Sequence, residues 1–155
     1  MQDIVERIRK GSRTSTRWFR RTSRPLFRQF APVMPIELDQ IEQTFDTQLP
    51  PDLREWLLAM GYGDVDDTLS FRRDWMHTVK QGHLAGTVSF AQDELGNFFG
   101  YRPTEGSVIY FCRSGPEYAF IAPCFRAFME ELETRDFRLL AWLEELATEP
   151  YEWAG

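Results

Sequence analysis

Residues 89–101 read Ser-Phe-Ala-Gln-Asp-Glu-Leu-Gly-Asn-Phe-Phe-Gly-Tyr, and this stretch decides the fold of the chain. Its aromatic ends predict two β-strands, the first closing at Phe90 and the second running through 98–101. Gly96 and Asn97 tolerate a positive φ, so the backbone can reverse between the two strands. The adjacent carboxylates Asp93 and Glu94 make this reversal either an acidic binding site or a solvated turn. The pattern of residues does not choose between the two.

Short apolar runs on both sides of this turn predict further strands. Leu69 and Phe71 alternate with Ser70, and the runs 107–112 and 118–121 are rich in β-branched and aromatic residues. A turn is predicted at 113–116, between the last two runs. Connections this short favour antiparallel pairing, because parallel neighbours need crossovers of about a dozen residues or more. The sequence therefore predicts a mainly antiparallel sheet of about five to six strands.

Helical periodicity appears before and after the strands. Pro35 and Pro51 suit first helical turns, and the helix after Pro51 is expected to end at Gly61. Pro123 begins a third helix, and Asp136 is expected to cap a fourth. The apolar positions of the four helices are Leu38, Ile41, Phe45 and Leu49; Leu53, Trp56, Leu57 and Met60; Phe125, Phe128, Met129 and Leu132; Phe137, Leu140 and Leu143. Two helices, a meandering sheet and two more helices form a single α+β domain.

The charge of the chain is divided unevenly. The net charge is −6, yet residues 1–30 carry nine basic and two acidic side chains, against nine basic and 22 acidic in the remainder. This division predicts a basic, Arg/Ser-rich N-terminal extension over residues 1–34 and an acidic domain over residues 35–155. A strongly acidic body repels nucleic acid and anionic membranes and attracts basic proteins. The body is therefore not expected to bind nucleic acid.

The basic extension leaves several interpretations open. Residues 4–10 predict a short helix that ends at Gly11. Residues 12–30 lack acidic side chains and carry aromatics at Trp18, Phe19, Phe27 and Phe30. This segment could pack its aromatics on the body with its arginines in solvent, dock on acidic protein surface, bind nucleic acid, or direct the chain to an organelle.

The sequence offers little to support catalysis. His77 and His83 have no ligand or triad partners at a suitable spacing, and no phosphate-binding glycine loop is present. Cys112 and Cys124 form no Cys-x-x-Cys pair and are expected to be reduced. No apolar run is long enough to cross a bilayer, and no secretory signal is visible. We therefore expect a cytoplasmic protein that is not an enzyme and needs no cofactor or metal.

Three blocks of the sequence resemble the SUKH superfamily, which includes fungal Smi/Knr-type cell-wall-assembly regulators and many bacterial toxin-immunity proteins. The first block runs from Ile41-Glu42 through Leu49-Pro50-Pro51 to Gly61. The second runs from Phe90-Ala91 to Gly96-Asn97. The third comprises 106–111 and the segment 121–129 that leads into a helix. The likeness extends over roughly residues 35–135 and leaves the basic extension outside.

The resemblance implies an α+β fold, no catalysis and a protein-binding role. It suggests an immunity protein that neutralises a cognate toxin or effector domain, such as a basic nuclease, by occluding its active site. An intracellular regulator or scaffold is the alternative, and an enzyme with an unrecognised carboxylate site is a third possibility. For a basic partner, the predicted contact residues are the acids in loops and turns: Asp64, Asp66, Asp67, Asp93 and Glu94.

Overall fold

The computed structural model describes residues 1–18, 20–112 and 114–152, which fold into an α+β domain. The helices are α1 (Gln2–Lys10), α2 (Pro35–Phe45), α3 (Pro51–Met60), α4 (Phe125–Thr134) and α5 (Leu139–Glu144). The strands are β1 (Ser12–Arg17), β2 (Arg20–Pro25), β3 (Phe27–Ala31), β4 (Tyr62–Val65), β5 (Leu69–Phe71), β6 (Val88–Asp93), β7 (Phe98–Tyr101), β8 (Val108–Phe111), β9 (Glu117–Ala122) and β10 (Glu149–Pro150).

Strands β3 to β10 form one antiparallel sheet whose spatial order follows the order of the chain, while β1 and β2 form a separate hairpin. The main sheet has eight strands in the described residues, more than the five to six predicted. The additional strands lie at or near its ends, where periodicity is weak. β3 has exposed Arg28, Gln29 and Phe30, and β10 has only two residues. An edge strand needs no continuous apolar face, so its pattern resembles that of a loop.

The helices pack on one face of the sheet around an aromatic cluster. Trp56 of α3 is fully buried, and its ring centroid lies 5.8 Å from that of Phe27, 5.6 Å from that of Phe71 and 6.2 Å from that of Phe125. Phe90 and Phe128 extend the cluster along the sheet. The predicted apolar faces of α3 and α4 are all buried here. Fully burying an apolar side chain of this size is worth about 1.5–3 kcal/mol, so these faces dominate the core.

The other face of the sheet is covered by the long connection between β5 and β6 and by Tyr151. Leu84, Phe98, Ile109 and Phe111 are buried there in a second, smaller cluster. Within this connection, residues Arg73–Trp75 form a 3-10 turn, and Thr78 makes an isolated bridge to Val88.

The first 34 residues are integrated with the body. Ile4, Val5 and Ile8 of α1 are buried in the main core, and β3 pairs with β4 at the end of the sheet. The helix predicted at residues 4–10 is confirmed, with Gly11 following its last residue. Of the arm's aromatics, Phe27 is half-buried, Trp18 and Phe30 are exposed, and Phe19 lies outside the described residues.

The prediction that Asp136 caps the last helix is wrong. Asp136 and Phe137 both adopt positive φ, and α5 begins at Leu139 after Arg138. The two left-handed residues form a tight reversal after α4, and the Asp136 carboxylate accepts a hydrogen bond from Arg13 instead. The predicted turn at 113–116 does connect β8 and β9, although its first residue lies outside the described part of the chain.

Candidate functional site

Three turns lie side by side at one end of the strands, and we call this row of strand ends the upper edge of the sheet. They are the β4–β5 turn (66–68), the β6–β7 turn (94–97) and the β8–β9 connection (112–116). Leu69 pairs with Asp93 and Phe98 pairs with Phe111, so these turns are brought to the same side by the antiparallel register. All five acids predicted as partner contacts therefore belong to strands that end at this edge or to the turns themselves. Their environments differ.

Asp93 supports its own turn. It is buried, and its Oδ1 accepts hydrogen bonds from the backbone N–H of Leu95 and of Asn97, both at 2.9 Å. Its Oδ2 accepts a third from Asn97 Nδ2 at 3.0 Å. Gly96 takes a φ of +81°, a left-handed conformation that suits glycine. The carboxylate thus shapes the turn, and its neighbour Glu94 is the exposed acid.

Asp64, Asp66 and Asp67 are paired with arginines of the N-terminal segment. Asp66 accepts from Arg13 at 3.0 Å and from Arg24 at 2.9 Å, and Arg24 also pairs with Asp67. Arg28 bridges Asp64 at 3.1 Å and Asp67 at 3.2 Å. We call these three acids and three arginines the clamp. It fastens the base of the β1–β2 hairpin to the β4–β5 turn. Its arginines also neutralise three of the five acids that the sequence predicted as partner contacts.

The electrostatics of Asp64 reflect this pairing. Burial works to raise the pKa of the Asp64 carboxyl, but hydrogen bonds from Ser70, Arg28 and Arg72 outweigh it and hold the pKa below its ordinary value. Arg72 Nη2 lies 2.8 Å from Asp64 Oδ1, and its guanidinium also stacks on the exposed ring of Phe30 at 4.7 Å. Asp64 is therefore ionised and held in place at neutral pH.

An open groove of about 280 Å³ lies farther along the upper edge, between the sheet and α5. We call it the acidic groove. Its apolar lining includes buried Tyr110, Leu143 and the half-buried Leu140, with the exposed Leu95 at its mouth. Glu117 and Glu144 line it as well, and Glu94 precedes Leu95 on the adjoining turn. Burial raises the pKa of the Tyr110 phenol, so this side chain stays neutral.

Of the predicted contacts, only Glu94 and the buried Asp93 adjoin this groove. Sequence reasoning missed Glu117 and Glu144, and it identified Leu140 only as an apolar position of the last helix. The isolated apolar Leu95 between Glu94 and Gly96 in a turn was the one available signal, because an apolar residue in a charged turn is exposed without a folding reason.

The histidines and cysteines of the described residues have structural surroundings. Ser89 Oγ lies 2.8 Å from His77 Nδ1, but Ser89 is fully buried and its hydroxyl donates to the Trp75 carbonyl at 2.6 Å. This contact fastens the β5–β6 connection to β6 and leaves the hydroxyl inaccessible. Cys112 and Cys124 carry free thiols. Within the described ranges, no three His, Cys, Asp or Glu side chains are arranged to hold a metal ion.

The same described residues contain no helix long and apolar enough to cross a membrane.

Most of the chain matches the model of a known protein family. The model of the SMI1/KNR4 family (SUKH-1) matches residues 32–131, about two-thirds of the chain. The chain belongs to the SMI1/KNR4 (SUKH-1) family. Neither a curated protein nor a solved structure matches the chain significantly.

The SUKH-1 match covers α2, α3, strands β4 to β9 and α4 as far as Glu131, the part in which sequence and structure agree best. It leaves out α1, the β1–β2 hairpin and β3 on one side, and α5 and β10 on the other. The acidic groove therefore lies between strands inside the SUKH-1 match and helix α5, which lies outside it. The clamp likewise joins the SUKH-1 turn at 66–68 to a segment that precedes the match.

Proposed function

We propose that this SUKH-1 protein is a bacterial immunity protein that binds a cognate toxin or effector domain and occludes its active site. The observation that carries the proposal is an acid-rimmed apolar groove on a domain of this family. The role is one of binding, without catalysis and without a cofactor, and we place it in the cytoplasm, where a toxin acting on cellular targets has to be neutralised.

The composition of the acidic groove supports a protein partner. Interfaces between proteins have an apolar centre and a polar rim, and Tyr110, Leu140 and Leu95 provide such a centre. Glu94, Glu117 and Glu144 provide a rim of one sign. Negative charge on the rim favours a basic partner, raises the rate of encounter and disfavours acidic competitors. Nuclease domains that bind polyanions have the matching basic surface.

The alternative function is an intracellular regulator or scaffold, which the family match supports to the same extent. The two functions differ in the partner: an immunity protein binds the product of a toxin gene, whereas a regulator has no such partner. The decisive experiment is co-expression with any toxin-like gene found next to the gene of this protein. Rescue of growth together with recovery of a complex would support immunity, and failure of both would leave the regulator.

Charge reversal tests the acidic groove itself. The double variant Glu94→Lys/Glu144→Lys should slow association with the partner about tenfold or more at low salt, because it turns attraction at the rim into repulsion. The defect should shrink at about 1 M salt, where the Debye length is only about 3 Å. Stopped-flow or biosensor association rates measure both.

The matched control is Asp74→Lys/Glu105→Lys. It changes the net charge equally, but its exposed acids lie at the opposite edge of the sheet, in the 3-10 turn and the β7–β8 connection. Equal loss of association rate in the two double variants would mean that total charge, and not the groove, attracts the partner.

A further inference from the structure

The β1–β2 hairpin is a second candidate surface, distinct from the acidic groove. Its two antiparallel strands pair from Ser12–Pro25 at the base to Arg17–Arg20 next to the tip. Every described side chain in it is exposed except that of Arg13, and Trp18 at the tip is 94% exposed. Residues 12–24 contain no acidic and no aliphatic side chain. The hairpin is thus a polar, cationic ribbon that contributes little to the core.

Two arginine pairs occur in register across the ribbon, and the pair at its base shares a counter-ion. Arg13 pairs in register with Arg24 at the base, and like charges directly opposite each other destabilise a strand pair. There the Asp66 carboxylate lies between the two guanidinium groups and accepts from both. Near the tip, Arg17 pairs in register with Arg20, and Arg21 follows. No described carboxylate pairs with Arg20 or Arg21, and both are exposed.

We propose that the tip of the β1–β2 hairpin binds single-stranded nucleic acid that passes over the tip, with one phosphate at Arg20 on one face of the ribbon, another at Arg21 on the opposite face, and a base stacked on Trp18. A phosphate beside Arg20, on the same face of the ribbon as Arg13 and Arg24, supplies the anion that Asp66 supplies at the base. The exposed indole offers a stacking face that every base can use. Hydroxyls of Ser15, Thr22 and Ser23 on the adjoining strands are the side chains, besides arginine and lysine, that commonly contact phosphate.

The composition of the hairpin favours this ligand over other anionic partners. A specific protein interface is more than half apolar and buries about 800 Å² on each side, whereas this ribbon has no aliphatic side chain to form such a centre. Binding in a membrane interface likewise needs a continuous apolar face. One exposed indole beside arginines and hydroxyls instead matches the needs of a stacked base and its phosphates.

The clamp explains how a hairpin outside the core can hold this geometry. Arg13 also donates to Asp136 at 2.7 Å, and Arg24 and Arg28 reach Asp67, so the base is tied to two separate reversals of the body. These contacts also neutralise the acids nearest to the hairpin. Nucleic acid approaching the tip therefore meets the arginines before it meets the acidic body. The proposal does not depend on the identity of any toxin.

The test is fluorescence anisotropy of the full chain with labelled oligonucleotides of about 20 nucleotides, a single-stranded DNA, a single-stranded RNA and a duplex, in about 50 mM salt. The single strands should bind, and Arg20→Glu/Arg21→Glu should weaken their binding at least tenfold. Loss of two phosphate contacts should also flatten the slope of log affinity against log salt by about 1.4.

Trp18→Ala tests stacking separately from charge. It should weaken single-strand binding about 5- to 150-fold, with a smaller effect on the duplex, whose bases are already stacked. The control Arg73→Glu/Arg138→Glu changes the net charge as much as the hairpin variant, at exposed arginines elsewhere on the body. Circular dichroism establishes that each variant is folded.

Three results would overturn the proposal. They are no binding of any oligonucleotide, equal losses in the hairpin and control double variants, or binding of mixed phosphatidylserine and phosphatidylcholine vesicles without binding of oligonucleotides. The last would assign the tip to a lipid surface.

Discussion

The hydrogen bonds of Asp93 assign it a structural role that the sequence alone does not reveal. In the sequence it is half of an acidic pair in a turn, equivalent to Glu94. In the structure its side chain points into the turn and accepts from two backbone N–H groups and one side-chain amide, while Glu94 faces solvent. Adjacent residues of the same charge therefore have separate roles, one in forming the turn and the other in the rim of the acidic groove.

These different roles predict different effects on stability. Asp93→Ala should lower the free energy of unfolding by about 1–3 kcal/mol, because it leaves buried donors without an acceptor. Glu94→Ala is the matched control and should stay within about 0.5 kcal/mol of the wild type, as exposed substitutions do. Urea unfolding followed by tryptophan fluorescence measures both. Similar values for the two variants would contradict the role assigned to Asp93.

At the scale of elements, the clamp determines the position of the β1–β2 hairpin. Asp66 has a φ of +47° and is the acid shared by Arg13 and Arg24. Asparagine adopts the left-handed region at least as readily as aspartate, so Asp66→Asn removes the charge without adding backbone strain. The arginines at the hairpin base would then repel each other without a shared counter-ion.

We predict that Asp66→Asn makes the hairpin more susceptible to trypsin, which cleaves after arginine. The rate of cleavage within residues 13–24 should rise several-fold. The substitution removes two ion pairs, Arg13–Asp66 and Arg24–Asp66, each worth about 1 kcal/mol, so the free energy needed to open the hairpin falls. Mass spectrometry of timed digests locates the cuts. Glu94→Gln, an exposed acid outside the clamp, should cleave like the wild type. An unchanged rate in Asp66→Asn would exclude the clamp as the element that holds the hairpin.

Sequence predicted some elements well for a physical reason. Helix α3 combines a proline start, apolar residues at helical spacing and a glycine with positive φ after its end, so local signals suffice. Helix α4 and the β6–β7 hairpin are similar, and the apolar residues Trp56, Phe90, Phe125 and Phe128 are all buried. These residues are buried on a regular face, and the face is visible in the periodicity.

The rest depended on contacts between distant parts of the chain. Arg13 meets Asp66 and Asp136, which lie 53 and 123 positions away, and no spacing rule predicts such a pairing. The acidic groove depends on how α5 lies against β8 and β9, and that placement results from packing of Leu139, Trp142 and Leu143. Sequence alone thus identified a basic N-terminal segment and exposed acids in turns, but it could not predict which acids form ion pairs with the arginines.

At the scale of the whole molecule, opposite charges are separated along one edge. The basic hairpin adjoins β3 and β4 at one end of the sheet, and the acidic groove lies over β7 to β9 toward the other end. The clamp lies at the hairpin end and neutralises the acids closest to it. The net charge of −6 therefore describes neither surface.

The ionisation of the clamp makes stability depend on pH. The pKa of Asp64 is lowered in the folded protein from its ordinary 3.8, so on acidification the unfolded chain takes up this proton first. Its contribution to stability is present above pH 3.8 and is lost as the pH falls through the folded value. Wild type should exceed Asp64→Asn in stability at neutral pH, and the difference should shrink below pH 3.8.

Urea midpoints of the two proteins across this range provide the measurement. Asp46→Asn, at an exposed left-handed position after α2, is the control and should differ little from the wild type at any pH. A difference between wild type and Asp64→Asn that persists unchanged into acid would show that packing, and not ionisation, is what the substitution disturbs.

The chain-ordered sheet has a consequence for the route by which the protein folds. Each strand from β3 to β10 pairs with the next strand along the chain. Helices are inserted only between β3 and β4 (α2–α3) and between β9 and β10 (α4–α5), so pairing requires mostly short loop closures. Helix α1 is different, because it contacts α3 and its Arg7 meets Glu133 at the end of α4, 126 residues away. Helix α1 therefore leaves the ribosome before the sheet does, yet its contact with Glu133 can form only after the end of α4 has been made.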